Sequence, residues 1–276
     1  SIILFAPITI MICNRLGISA IPILIGVGIL ANTGGVGTLV GDPPNIMIAS
    51  ASGFSFNSFP IHLGPPVLAA WLVTILYLLF YYRKWTGETP KGIKELMKMD
   101  EWEHVKSKSM MYKTVGTLAF TIVLYISNEF LFHLNVATVA LIGGGIALCL
   151  NLPDIYEVVE RIEWPVLLFF AGLYILVGSI EELGILSAVG FWMADAAGGN
   201  MTLTIIMFIW ISAVASAIVD NIPFTAAMLP VIAEMGQLGV NTAPLYWALA
   251  MGVGFGGNGT PIGSTANVIV ISISER

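Results

Sequence analysis

Polar residues are so sparse along this chain that the hydrophobic pattern reads as whole segments rather than as helical stripes. No Asp, Glu, Lys or Arg occurs from Leu16 to Gly41, from Pro43 to Tyr82 or from Met235 to Ser274. A helix needs about 20 apolar residues to cross the hydrocarbon of a bilayer. His62–Tyr82, Lys113–Leu131, Leu134–Asn151 and Trp164–Ile180 read as single spans. The Leu134 span is short and carries Gly143-Gly144-Gly145, which favours close helix contact over lipid exposure. Met201–Val219 is a further apolar run, but Asp220-Asn221-Ile222-Pro223 interrupts its continuation, so 201–235 reads as a re-entrant hairpin. None of these runs has the charged flank of a cleaved signal peptide.

Composition agrees. Of 276 residues, 57% are hydrophobic and 10% charged, against roughly 25% charged in an ordinary soluble protein. Mean hydropathy is +0.89. Eleven Lys+Arg against 17 Asp+Glu leave no basic footprint for nucleic acid. Cys13 and Cys149 alone make no disulfide scaffold, no soft-metal thiolate site and no zinc ligand spacing. The fold class is therefore all-α integral membrane, and no cofactor or metal is expected.

The segments repeat at an offset of 222. Gly34-Gly35-Val36-Gly37-Thr38-Leu39-Val40-Gly41 returns as Gly256-Gly257-Asn258-Gly259-Thr260-Pro261-Ile262-Gly263. Asn45 returns as Asn267, and Ala6-Pro7-Ile8 answers Leu229-Pro230-Val231 with one residue of slippage. Matching glycine-interrupted segments in two halves mark a secondary transporter. The expected architecture is polytopic, with inverted repeats, broken helices and re-entrant hairpins. Residues 1–83 form the later part of the first repeat, 84–112 a cytoplasmic linker, and 113–276 the second repeat. On this pattern the chain is expected to be a piece of a longer protein, lacking the opening helices of the first repeat and the last helix of the second.

Charge orients the chain. Eight of the 11 Lys+Arg lie between Arg83 and Lys113, and positive loops stay in the cytoplasm. With that loop inside and 201–235 re-entrant, Arg15, Arg161 and Arg276 also fall inside. The broken segments 17–52 and 244–274 then cross in opposite directions.

Backbone polar groups left unpaired in lipid are costly, so such breaks survive only where they line a cavity or are buried in protein. Gly35, Gly37, Gly41, Pro43 and Pro44 make the first break; Gly257, Gly259 and Gly263 make the second. Unwound turns offer carbonyls to a cation, and the half-helices beyond them point amides at a polar solute. Thr38, Asn45, Asn221, Asn258, Thr260, Ser264, Thr265 and Asn267 supply neutral hydrogen-bonding groups beside them and are the candidate substrate-binding residues. Helix packing alone would also use Gly and Thr, but duplication together with a carboxylate favours function. Asp42 and Asp220 lie inside apolar sequence, where a charge costs at least about 2.5–3.5 kcal/mol. They are the candidate ion- or proton-coupling residues; for Asp42 the competing role is an N-cap. Glu129, Glu234, His62 and His133 fall at predicted membrane edges and read as solvated or interfacial. Trp71, Trp164, Trp192, Trp210 and Trp247 read as belt or packing residues. No nucleophile–base pair shares a break, so an enzyme is not expected; a non-transporting scaffold would not need duplicated breaks.

The stretches Gly37-Thr38-Leu39-Val40-Gly41-Asp42-Pro43-Pro44-Asn45-Ile46 and Gly257-Asn258-Gly259-Thr260-Pro261-Ile262-Gly263-Ser264-Thr265-Ala266-Asn267, with Asp220-Asn221-Ile222-Pro223-Phe224-Thr225, resemble the ArsB/NhaD permeases of the ion transporter superfamily. Within it they are most similar to the branch that contains the P protein. The resemblance implies a multi-pass, ion-coupled carrier in the cell membrane. Efflux of arsenite, antimonite or a related inorganic anion ranks first, sodium/proton antiport next and citrate or dicarboxylate transport third, with sodium or protons as coupling ions. It also implies a homodimer, by analogy alone.

Overall fold

The computed structural model describes residues 2–87, 90, 92–93, 107–160, 162, 164–196, 198–261 and 263–274. Lys94, Arg161 and Arg276, whose charges bear on orientation, lie outside the described residues, as does most of the linker. Among the described residues the regular structure is helical throughout, without a strand.

The first helices are α1 (Ile2–Leu16), α2 (Ile21–Gly35), α3 (Pro43–Ser52), α4 (Ser58–Tyr81) and α5 (Arg83–Thr86). After the linker come α6 (Lys108–Leu131), α7 (Val136–Asn151), α8 (Ile155–Glu160), α9 (Trp164–Glu182) and α10 (Ile185–Ala196). The last group is α11 (Met201–Ile218), α12 (Asn221–Gln237), α13 (Ala243–Gly256), a 3-10 turn at Gly257–Gly259, and α14 (Thr265–Ser274). Helices Ser58–Tyr81, Lys108–Leu131 and Met201–Ile218 are each long and apolar enough to cross a membrane. The sequence pattern has no counterpart for α10. At 12 residues it is too short for a run-length criterion, and Gly184, at φ +70, separates it from α9.

Local chemistry sets the ends. α1 stops at Gly17 (φ +67), where Ile18 N–H reaches Cys13 O at 3.0 Å, a left-handed C-terminal cap. α3 starts on Pro43-Pro44, whose missing N–H groups cost nothing in a first turn, and stops at Gly53 (φ +73). Asn200 accepts from Thr202 and Leu203 N–H to cap α11.

The chain divides into two compact units. One contains Ser55–Asn57 and Met97–Phe170, the other Ser1–Phe54, Ser58–Leu96 and Ala171–Arg276. In the smaller unit α6 packs on α7, with Thr121 over Gly143, where a Cβ would overlap the threonine. Glu129, expected as a solvated or interfacial residue, is half-buried and accepts from Ser55 Oγ and Asn57 Nδ2, both at 2.9 Å. Phe56 stacks on Tyr125 beside it.

In the larger unit the packing is reciprocal. The offset of 222 pairs α2 with α13 and α3 with α14, and the slipped match pairs α1 with α12. The half-helix α3 lies against α12 and α13, while α14 lies against α1 and α2. The half-helix that follows each glycine motif thus packs on the helices that flank the other motif. α11 runs along α13 on small residues: Gly252, Gly256 and Gly259 meet Ser212, Ala213 and Ala217, and Ser216 Oγ donates to Val253 O at 2.8 Å. On the other side, Trp71 of α4 lies over Gly34 and donates from Nε1 to Leu30 O at 3.0 Å.

Candidate functional site

The two helix breaks are built alike. After α2 the chain turns so tightly that Gly41 lies on Gly35: a Cβ on Gly41 would overlap the Gly35 carbonyl, and one on Gly35 would sit 3.0 Å from Gly41 O. The second break repeats this with Gly257 and Gly263, at 3.1 and 2.8 Å. Only glycine permits that approach.

The carbonyls freed by each turn have side-chain donors. Asn45 is 1% exposed, and its Nδ2 donates towards Gly35 O and Val36 O, each at 3.1 Å, and Thr38 O at 2.9 Å. Asn267 Nδ2 does the same for Gly257 O at 2.8 Å and Thr260 O at 3.0 Å. Both asparagines answer the need of an unwound membrane segment for internal partners. Thr260 Oγ1 is turned to Ala217 O on α11.

Around the second turn a neutral polar cluster joins the repeats. Asn32, on the last turn of α2, points Nδ2 at Ser264 Oγ (2.7 Å), Asn267 Oδ1 (3.0 Å) and Asn258 Oδ1 (3.1 Å). Asn258 Nδ2 donates to Thr33 Oγ1 at 3.1 Å, and Thr33 Oγ1 donates to Ile29 O at 2.7 Å. Ser264 Oγ also accepts from Asn267 N–H at 3.3 Å, capping α14. Thr265 opens α14; its side chain is outside what the structure describes. Asn32 and Thr33 are not among the sequence candidates. Their one signal in the sequence is polarity inside an apolar segment just before Gly34-Gly35.

At the first break the cluster is acidic. Asp42 holds the N-cap position of α3 with extended backbone (φ −146, ψ 140), yet its side chain makes no capping bond. Oδ2 instead accepts from Asn221 Nδ2 at 3.0 Å, across the repeats. Asp220 does cap: Oδ1 accepts from Ile222 N–H at 3.0 Å at the start of α12. Asn221 is 6% exposed, and its carbonyl accepts from Thr225 Oγ1 at 2.7 Å. The N-termini of α3 and α12 therefore carry one carboxyl each, and Asn221 links the first to the start of the second helix. The positive ends of the two helix dipoles favour a carboxylate at each of these positions.

Most of the candidates thus fall into two groups, Asp42, Asn221, Asp220 and Asn45 at the first break, and Asn258, Ser264 and Asn267 at the second, where Asn32 and Thr33 join them; Thr260 is turned to α11, and Thr38 contributes its backbone carbonyl to Asn45. Among the described residues, His, Cys, Asp and Glu form no metal-holding group of three.

Residues 1–252 match the family described as citrate transporter. An uncharacterized transporter of Mycobacterium bovis is 36% identical over 281 residues, covering 100% of this chain and 65% of that protein. A 46 kDa membrane protein of Mycobacterium leprae is 35% identical over 278 residues with the same coverage. The mouse P protein is 28% identical over 355 residues, covering 100% of this chain and 43% of that protein. The chain therefore spans about two thirds of the length of its mycobacterial relatives.

Proposed function

This chain belongs to the citrate transporter family, and from that premise we propose that it works as an ion-coupled secondary transporter with Asp42 as the coupling carboxylate. One observation carries the assignment. Asp42 is the break residue whose side chain is spent on no helix cap and is held by an asparagine of the opposite repeat. A carboxylate so placed can bind a cation or a proton, and its change of charge alters the bond that ties the two repeats. Asp220 is already engaged as the cap of α12.

The neutral cluster at the second break is the solute site. Its amides and hydroxyls suit a small solute that is uncharged and rich in hydroxyl groups, so arsenite or antimonite efflux leads. Sodium/proton antiport is the second reading, favoured by the paired carboxyls Asp42 and Asp220. Citrate is the third. The family's description favours it, but a polycarboxylate at this cluster would meet amides and no cationic partner. Asn45 and Asn267 serve the solute indirectly, by holding the turns.

Transport by the full-length protein in proteoliposomes, with arsenite, sodium, protons and citrate in parallel, tests the proposal. Asp42→Asn should lose ion dependence while staying folded. Unchanged coupling in both Asp42→Asn and Asp220→Asn would refute it. The same reading takes 1–83 and 113–276 as inverted repeats, 84–112 as a cytoplasmic loop of a cell-membrane protein, and 201–235 as re-entrant. Cysteine labelling that put Gln237 and Lys94 on one side of the membrane would sink that topology. A homodimer is the assembly to test by crosslinking in the membrane.

A further inference from the structure

Away from the carboxylates, a cavity of ≈ 450 Å³ lies between α2, α4 and the end of α13. That volume is within the roughly 300–1,000 Å³ range of small-molecule pockets. Ala70, Val73 and Phe255 contribute apolar wall, and Thr33, Thr74 and Asn258 contribute the polar groups. No charged side chain lines it.

Two features say what it would take. The first is the hydrogen-bond inventory of Asn258. Its Oδ1 accepts from Asn32 and one N–H goes to Thr33 Oγ1, which leaves the second N–H without a partner among the described residues. The second is the mouth. Val73, at 66% exposed, stands on the face of α4 that also presents Leu72 and Leu76, and α4 has the length and hydropathy of a span. The mouth is therefore bounded by a helix surface suited to lipid tails.

We propose that this cavity binds a small uncharged amphiphile taken from the bilayer, a short hydrocarbon body with one hydroxyl-type head that accepts from Asn258 and meets Thr74. An anion would find no counter-charge, and a pure hydrocarbon would leave the Asn258 donor unsatisfied, which is costly away from water. Because Asn258 also belongs to the network that ties Asn32 to the second break, occupancy locks that network and slows transport.

The test is photolabelling of the full-length protein in liposomes with a diazirine-bearing octanol, mapped by mass spectrometry, with 1-octanol as competitor. Adducts should concentrate within 69–74 and 255–258 and fall at least tenfold with excess 1-octanol. Ala70→Phe, which fills the cavity, should remove them, and Thr74→Leu should weaken them by removing the hydroxyl. Labelling spread evenly along the outer face of α4, or labelling at 69–74 that 1-octanol does not displace, overturns the site. The wild-type displacement decides this even if a variant fails to fold. Labelling needs no turnover, so its result is independent of which solute the protein carries. In a parallel transport measurement, 1-octanol should inhibit wild type and spare Ala70→Phe; equal inhibition of both would overturn the effect on transport.

Discussion

Removing the amide of Asn45 should destabilise the protein through the broken turn it serves. The side chain is 1% exposed and its nitrogen faces three carbonyl oxygens at 2.9–3.1 Å. An amide has two N–H groups, so Asn45→Ala deletes two hydrogen bonds shared among three acceptors. Double-mutant cycles in a membrane protein average about 0.6 kcal/mol per interhelical bond, because the unfolded chain finds other partners. That sets a floor near 1 kcal/mol for two bonds. A buried acceptor left unpaired costs about 1–3 kcal/mol. These carbonyls are enclosed by a turn in which Gly35 and Gly41 touch, so little else can reach them. The expected loss is about 2–4 kcal/mol, or roughly 5–15 °C in melting temperature for a protein of this size.

The assay is tryptophan-fluorescence melting of the full-length protein in detergent, with size exclusion to confirm a folded starting state. Asn45→Asp separates packing from donation: it keeps the shape but turns acceptors towards three oxygens, and should lose at least as much as alanine. Ser50→Ala, at an exposed site on the same helix, should stay within about 1 °C, as surface changes do. An Asn45→Ala or Asn45→Asp variant that melts within 2 °C of wild type would refute this role for the amide.

Four other outcomes are expected. Asp42→Asn should melt within about 2 °C of wild type, since the new amide oxygen still accepts from Asn221, a neutral bond worth about 1 kcal/mol; its transport should lose ion dependence in proteoliposomes. Gly41→Ala should reduce folded yield sharply, because its methyl overlaps the Gly35 carbonyl. Gly144→Ala, with nothing within 4 Å of the new Cβ, should be neutral or stabilising by up to about 1 kcal/mol in the same melting assay. Trp71→Phe should cost about 1 kcal/mol by losing the indole bond to Leu30 O, read as a drop of 2–4 °C.

The helix breaks were legible because each is written twice, with glycines where the chain must touch itself and prolines where α3 must begin. The partners across the breaks were not. Asn32 stands opposite the second turn, but its own counterpart at the offset of 222 is Gly254, so a search for repeated polar residues passes over it. The reciprocal packing of α3 on α12 and α13 was also hidden, since contacts between segments nearly 200 residues apart leave no local periodicity. Loop 55–57 joins the smaller unit through Glu129 for a similar reason: three residues carry no period, and only the hydrogen bonds reveal where they belong. The caps at Asp42 and Asp220 look interchangeable in sequence; the structure separates them by which side chain bonds its own helix.

That separation has a consequence for mechanism. The two breaks share one backbone design but not one chemistry. Where the first has Asp42, the second has Ser264; where the second has Asn258, the first has Val36; where Asn32 reaches across to the second, Gly254 leaves room that Val36 fills. A carrier that bound the same ion at both breaks would have no reason to keep a carboxylate at one and an amide cluster at the other. On the proposed function the asymmetry divides the labour. A change of charge at Asp42 would be felt by Asn221 at the start of α12, while the neutral cluster would meet a solute without changing its own charge. Moving the carboxylate to the second break, as Asp42→Ser with Ser264→Asp, should therefore not restore coupling. If that double variant transports with wild-type ion dependence, the two breaks are equivalent and the division of labour is wrong.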